Sequence, residues 1–305
     1  MKFNPGKTAF GRHETFALRY GWLSKGIQAV QKNANIFKDD EATVTLGVGK
    51  NMVASIQYWL RACQLMSATD TRLLPIGNLI FDEESGFDPY LEDEATIWLV
   101  HWLLATNAEL STSWYWFFNK YHKPEFTAQE LSTALSDWVK ENAKAKVSPS
   151  TLKNDAALIP RMYNQVKINS RAAIEEALDS PLSLLRLINQ GSSAKSYQCK
   201  PMARPGLPVS IVGFAVSQLM KSKEVVSIPV EELMYSRDEY AAPGSVFRLT
   251  ESDLITKLEC LINDNPGCYE IRETAGIHQL YQIQAIEPET WLQKHYATEN
   301  SEVAA

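Results

Sequence analysis

Two groups of side chains in this sequence have the types and spacing to act on a phosphodiester. The first is Arg12-His13-Glu14, an imidazole between a guanidinium and a carboxylate. A histidine so placed could move a proton beside a phosphate held by the arginine. The second lies in the acidic run from Asp82 to Glu94, where Asp88, Glu92 and Asp93 offer hard oxygen ligands for a divalent ion such as Mg or Mn. Ions held by carboxylates can promote in-line cleavage of a phosphodiester. Each group also has a plainer reading. The first could be a surface cluster of ion pairs. The second could be a helix start, with Asp88 as N-cap, Pro89 at the first helical position and Glu92 and Asp93 in the first turn.

A third set could hold DNA without acting on it. Ala42 to Arg61, ATVTLGVGKNMVASIQYWLR, reads as a helix-turn-helix. A short helix ends at Gly47, a residue that tolerates positive φ in the turn. A second helix then runs from about Asn51. Met52, Val53, Ile56, Trp59 and Leu60 recur at helical spacing and form its buried face. Lys50, Asn51, Ser55, Gln57, Tyr58 and Arg61 are left outward, and Arg19 lies upstream. Amide, hydroxyl and cationic side chains of this kind read base edges and hold phosphates. The competing reading is a helical hairpin in a helical core. LGVGK is not a phosphate loop, because its glycines are one residue apart and Asn51 follows the lysine.

Charge supports a local DNA-facing module. The chain of 305 residues carries a net charge of -6, which argues against coating nucleic acid non-specifically. Yet residues up to Ile80 are rich in Lys and Arg, with only Glu14, Asp39, Asp40, Glu41 and Asp70 as acids. Four scattered cysteines suggest neither disulfides nor a zinc site. No apolar signal core or membrane-length run is evident, so a cytoplasmic protein is expected.

The elements that would position these groups are mostly helices. Residues 10–31 carry Phe16, Tyr20, Leu23, Ile27 and Val30 on one helical face. LEDEATIWLVHWLLAT is apolar on most sides and should be buried, with His101 a hydrogen-bonded core residue. The aromatic run Trp114 to Phe118 could stack bases but fits a core better. Thr127 and Glu130 have capping-box spacing and open a helix through Lys140. VSPSTLKNDAALIPRMY then resembles the second half of another helix-turn-helix, with Lys153 and Asn154 outward. Residues 190–208 read as loop or linker, and VSIVGFAVSQLM as helix or strand. Thr250 and Asp253 cap a helix followed by two short strands, which is a winged-helix pattern. The tail ATENSEVAA should fray. The expected fold is mainly α with small β wings, in tandem helix-turn-helix or winged-helix-like modules. The expected division is a helix-turn-helix domain over 1–80, a helical domain over 81–190 and a winged-helix-like domain over 191–305.

At FGRHETFALRYGWLSKG, LGVGKNMVASIQYWLRA and GFDPYLEDEATIWLVHWLLATN the chain resembles a bacterial domain-of-unknown-function family. One member serves single-strand DNA phosphorothioation systems, and others sit in phage-defence islands. The resemblance covers most of the chain. It implies a protein that binds DNA and nicks one strand, opening the backbone for sulfur insertion. It implies as partners a cysteine desulfurase, an ATPase and an ATP-pyrophosphatase-like sulfur-transfer protein. It assigns no catalytic residues to this sequence. Two other roles stay open: a non-catalytic DNA-binding adaptor that recruits a sulfur-transfer partner, and a transcriptional regulator.

Overall fold

The computed structural model describes residues 2–164, 180–274 and 276–303, and it is mainly α-helical with two small antiparallel sheets. Contacts group the chain into two units. Asn4–Phe117 and Lys123–Lys200 form the N-terminal unit. Met1–Phe3, Phe118–His122 and Pro201–Ala305 form the C-terminal unit.

The N-terminal unit begins with turns rather than a helix. The helical pattern expected over 10–31 is realised only as α1 (Trp22–Lys32). Glu14, Thr15 and Gly21 have φ of 49°, 65° and 75°, values that no right-handed helix accommodates, so Phe16 and Tyr20 fall outside it. Next come α2 (Ala42–Leu46) and α3 (Lys50–Ala62), both packed with α1. Gly47 ends α2 with φ 65°, in the left-handed conformation expected of it. Lys50 is the first residue of α3 rather than the last of the turn.

The acidic run lies between α4 (Pro75–Phe81), which precedes it, and α5 (Glu94–Thr106), which begins at its end. α5 starts six residues after the expected Asp88. Leu91 has φ 61°, which interrupts the chain between Pro89 and the helix. Asp93 is the N-cap, its side chain accepting from Ala95 N at 2.8 Å. α5 is buried on nearly every side, as its composition predicts, and His101 Nδ1 meets the Tyr163 hydroxyl at 2.8 Å. The run Trp114 to Phe118, in α6 (Thr112–Asn119), is buried throughout and belongs to the core.

β1 (Glu125–Thr127) leads into α7 (Ala128–Asn142), whose reciprocal Thr127–Glu130 capping box is complete. α8 (Pro149–Tyr163) is capped by Ser148 and has proline at its first position. β2 (Asn189–Gln190) and β3 (Ser196–Gln198) then complete a sheet of order β1-β3-β2. Part of the stretch expected as a loop is thus a strand.

A carboxylate ties the β2–β3 turn to β1. Glu125 accepts from Ser192 N at 2.8 Å, from Ser196 Oγ at 2.8 Å, and from the Ser192 hydroxyl. These donors, with Gln198, bring its carboxyl down from 4.5 to about 2. A depressed carboxylate stabilises the fold fully above its unfolded value and loses that contribution as pH falls through about 2. NMR titration of Glu125 should therefore give a midpoint near 2, and Glu125→Gln should speed amide exchange at Ser192. An ordinary glutamate midpoint would mean that the turn is not held this way.

In the C-terminal unit the ambiguous VSIVGFAVSQLM forms α9 (Val209–Lys223). It packs on α12 (Glu251–Asp264) and α13 (Pro288–Val303), and Trp291 Nε1 donates to Ser217 Oγ at 2.7 Å. Thr250 caps α12 by accepting from Asp253 N, as its spacing predicts. The tail expected to fray is helical as far as Val303. β4 (Ser227–Pro229), α10 (Val230–Met234) and α11 (Pro243–Val246) precede α12; β5 (Tyr269–Thr274) and β6 (Ile277–Gln282) follow it. The sheet order is β4-β6-β5. Each unit thus holds one sheet of the same connectivity. A short strand is followed by helices, then by two strands, and the last strand pairs between the other two.

Candidate nucleic-acid interface

The loop of residues 9–15 is held from three helices. Ala9 N donates to Thr112 Oγ1 of α6 at 3.0 Å, and Gly11 N donates to Asp155 Oδ1 of α8 at 3.0 Å. His13 Nε2 meets the same Asp155 oxygen at 2.9 Å, while Ser113 Oγ donates to the other one at 2.6 Å. Ser55 of α3 donates to the His13 carbonyl at 3.1 Å. The His13 ring lies among Tyr58, Trp59 and Trp114, with centroids 5.9–6.3 Å away. Gly11 sits where a Cβ would meet Thr151 Cγ2 at 2.5 Å, on a backbone with φ 67°, so only glycine fits.

Thr15 N donates to His13 Nδ1 at 3.1 Å, which leaves Nε2 to carry the proton toward Asp155. Both ring nitrogens are engaged and the side chain is 1% exposed. His13 is therefore a buried anchor, not part of a surface cluster. Two successive left-handed residues, Glu14 and Thr15, follow it. This constrained turn holds Arg12 and Glu14 in solvent on either side of the anchored imidazole.

Arg12 and Glu14 share a cavity of about 360 Å³ with Gln57, Tyr58 and Arg61 of α3. The two motifs singled out separately in the sequence thus form one site. Arg61 donates to the Asp70 carbonyl at 3.3 Å, and its Nε is buried without a hydrogen-bond partner. The Tyr58 phenol is pushed well above its ordinary value by burial, then by the charge of Asp155 and by Cys63. It stays protonated at neutral pH and can act as a donor, not as a ready phenolate. A guanidinium pair, a phenol and an amide around one cleft suit an anionic oxygen.

The other expected residues are distributed as follows. Lys50 and Asn51 are exposed at the start of α3. Ser55 is not outward: it is fully buried against the His13 carbonyl. Its position three residues after Met52 and four before Trp59 puts it on the apolar stripe, a signal available in the sequence. Arg19 lies over the rings of Phe16 and Trp22 at 5.9 and 5.5 Å. Lys153 and Asn154 are exposed on α8. Asp155 and Ser113 did not stand out in the sequence. Asp155 could have, because it stands between Leu152 and Ile159 on the buried stripe of α8, where a carboxylate needs partners.

Asp88 is buried, and its two oxygens accept from Glu92 N at 2.8 Å and Asp93 N at 3.0 Å. Asp93 caps α5 and Glu92 is exposed. Among the described residues no three His, Cys, Asp or Glu side chains converge to hold a metal ion. The acidic segment thus does capping work and does not fit a Mg or Mn centre. Among the described residues no helix is long and apolar enough to cross a membrane.

An α-rich chain with two small sheets and this anchored N-terminal loop belongs to the family described as "Protein of unknown function (DUF4007)", whose model matches residues 10–296. Among solved structures it is similar to SspB. A magnesium ion-bound SspB crystal structure aligns with TM-score 0.84 and 28% identity, covering 96% of this chain and 89% of that one. Another SspB crystal structure aligns with TM-score 0.82 and 29% identity over the same shares. No curated protein sequence matches the chain.

Proposed function

We propose that this protein is the DNA-binding component of a bacterial DNA phosphorothioation system of the phage-defence type, and that it nicks one strand so that sulfur can enter the backbone. The observation that carries this reading is the cavity where Arg12, Glu14, Gln57, Tyr58 and Arg61 meet. The likeness to SspB supports it. Its partners would be the sulfur-transfer, ATPase and cysteine desulfurase proteins of the same system.

In this reading Arg12 and Arg61 hold one backbone phosphate and offset the charge that builds on its oxygens during attack. Tyr58 donates to a phosphate oxygen. The Glu14 carboxylate takes a proton from the attacking water as the new P–O bond forms. The sugar oxygen leaves with the electrons of the broken P–O bond and is protonated from solvent. A divalent ion, where bound, would add charge stabilisation, and SspB has been crystallised with magnesium.

Both sheets support a reading as tandem winged helices. One strand, two principal helices, then a hairpin whose last strand pairs with the first is the connectivity of that module. In the first of them α8 would enter the major groove, with Lys153 and Asn154 outward and Lys144, Lys146 and Lys195 exposed nearby in sequence or in the hairpin turn.

Supercoiled plasmid with Mg or Mn tests the proposal. The protein should convert it to open circles. Glu14→Gln should abolish nicking with DNA affinity kept, and Asp88→Asn should lower stability and leave nicking per folded molecule unchanged. DNA binding without open circles at any metal would replace the nickase by the recruiting adaptor.

A further inference from the structure

The two sheet modules share a connectivity, but the exposed faces of α8 and α12 carry opposite charge. The exposed side chains of α8 include Lys153 and Asn154, with Lys144 and Lys146 in the turn before it. The exposed side chains of α12, its counterpart, are Glu251, Ser252, Thr256, Glu259, Asn263 and Asp264. A helix with three exposed carboxylates and no exposed cation repels a phosphate backbone, so the C-terminal module is unsuited to DNA.

Beside that acidic helix is a cleft of about 620 Å³ between α10, α12 and the β5–β6 hairpin. Val230, Ile255, Ile262 and Ile271 supply its apolar lining, and Glu259 and His278 stand among them. Ile277, at the hairpin tip, is 56% exposed. Apolar side chains at a cleft rimmed by carboxylates match one kind of partner: a helix with aliphatic residues on one side and Lys or Arg on the other. We infer that this cleft docks a cationic amphipathic segment of a partner protein, so that the N-terminal unit meets DNA while the C-terminal unit recruits protein. The aliphatic side fills the cleft, and the cations meet Glu259 in its lining and Glu251 two turns earlier on the same helix, which speeds encounter and sets orientation.

The probe is a labelled synthetic helix with leucine at the i, i+3, i+4, i+7 positions and lysine elsewhere, titrated into the full chain. It should bind saturably. Glu251→Lys with Glu259→Lys should weaken it by about tenfold or more, with plasmid affinity unchanged or raised. Ile262→Ser should weaken it as well, and a peptide of the same composition with its leucines scrambled should not saturate. These variants leave Arg12, Glu14 and Arg61 untouched, so a failure of the DNA proposal is read separately from a failure here. Equal binding of both peptides, indifference to the charge reversals, or displacement of the probe by plasmid DNA would overturn the inference. The last outcome would assign the module to nucleic acid.

Discussion

Asp155→Ala should destabilise the protein by about 3–5 kcal/mol, the range seen when one member of a buried polar group is removed. Asp155 is 1% exposed and accepts from Gly11 N, His13 Nε2 and Ser113 Oγ. Truncation strands three donors where water does not reach, each at a cost of about 1–3 kcal/mol before relaxation. Asp155→Asn keeps one acceptor oxygen and should cost about half as much or less. Urea denaturation of the variants is the measurement, and the midpoint should fall with little change of slope. An alanine variant within about 1 kcal/mol of the parent would show that the loop is not organised by this carboxylate. The effect should reach function as well, because the same bonds fix the turn carrying Arg12 and Glu14.

Arg12→Ala and Arg61→Ala should each weaken duplex DNA binding by about tenfold at moderate salt and lower the salt slope by about one. Together they should lower the slope by about two, because each phosphate contact releases its own counterion. Lys50→Ala should take away about one more. Arg61 also donates to the Asp70 carbonyl, so thermal unfolding must accompany the titration. Ser55→Ala serves as the contrast, with reduced stability and an unaltered salt slope, since Ser55 points at the His13 carbonyl. A slope unchanged in Arg12→Ala, Arg61→Ala and the double variant would mean that neither side chain meets phosphate.

Much of the secondary structure was readable because its causes are local. The Thr127–Glu130 box, the Thr250 cap and the left-handed Gly47 act over two to four residues. The misreadings came where local signals competed. Asp88 has the chemistry of an N-cap, but Leu91 in the left-handed region shifts that duty to Asp93. Residues 10–21 keep a helical spacing of apolar side chains, yet backbone turns at Glu14, Thr15 and Gly21 override it. Strands of two or three residues, such as β2 and β3, are too short for alternation to register.

By itself the sequence determined which side chains were candidates: a basic N-terminal region, an Arg12-His13-Glu14 run, a polar row on α3 and the caps at Thr127 and Thr250. Types and near neighbours are written in the chain, and propensity and capping act on those alone. Only the tertiary structure decided that His13 is an anchor while Arg12 and Glu14 face Arg61, and that Ser55 is interior. Those outcomes depend on Asp155, 142 residues beyond His13, and on which sides of α3, α6 and α8 meet. A buried carboxylate chooses its partners by packing, and packing is a property of the whole fold rather than of any stretch of it.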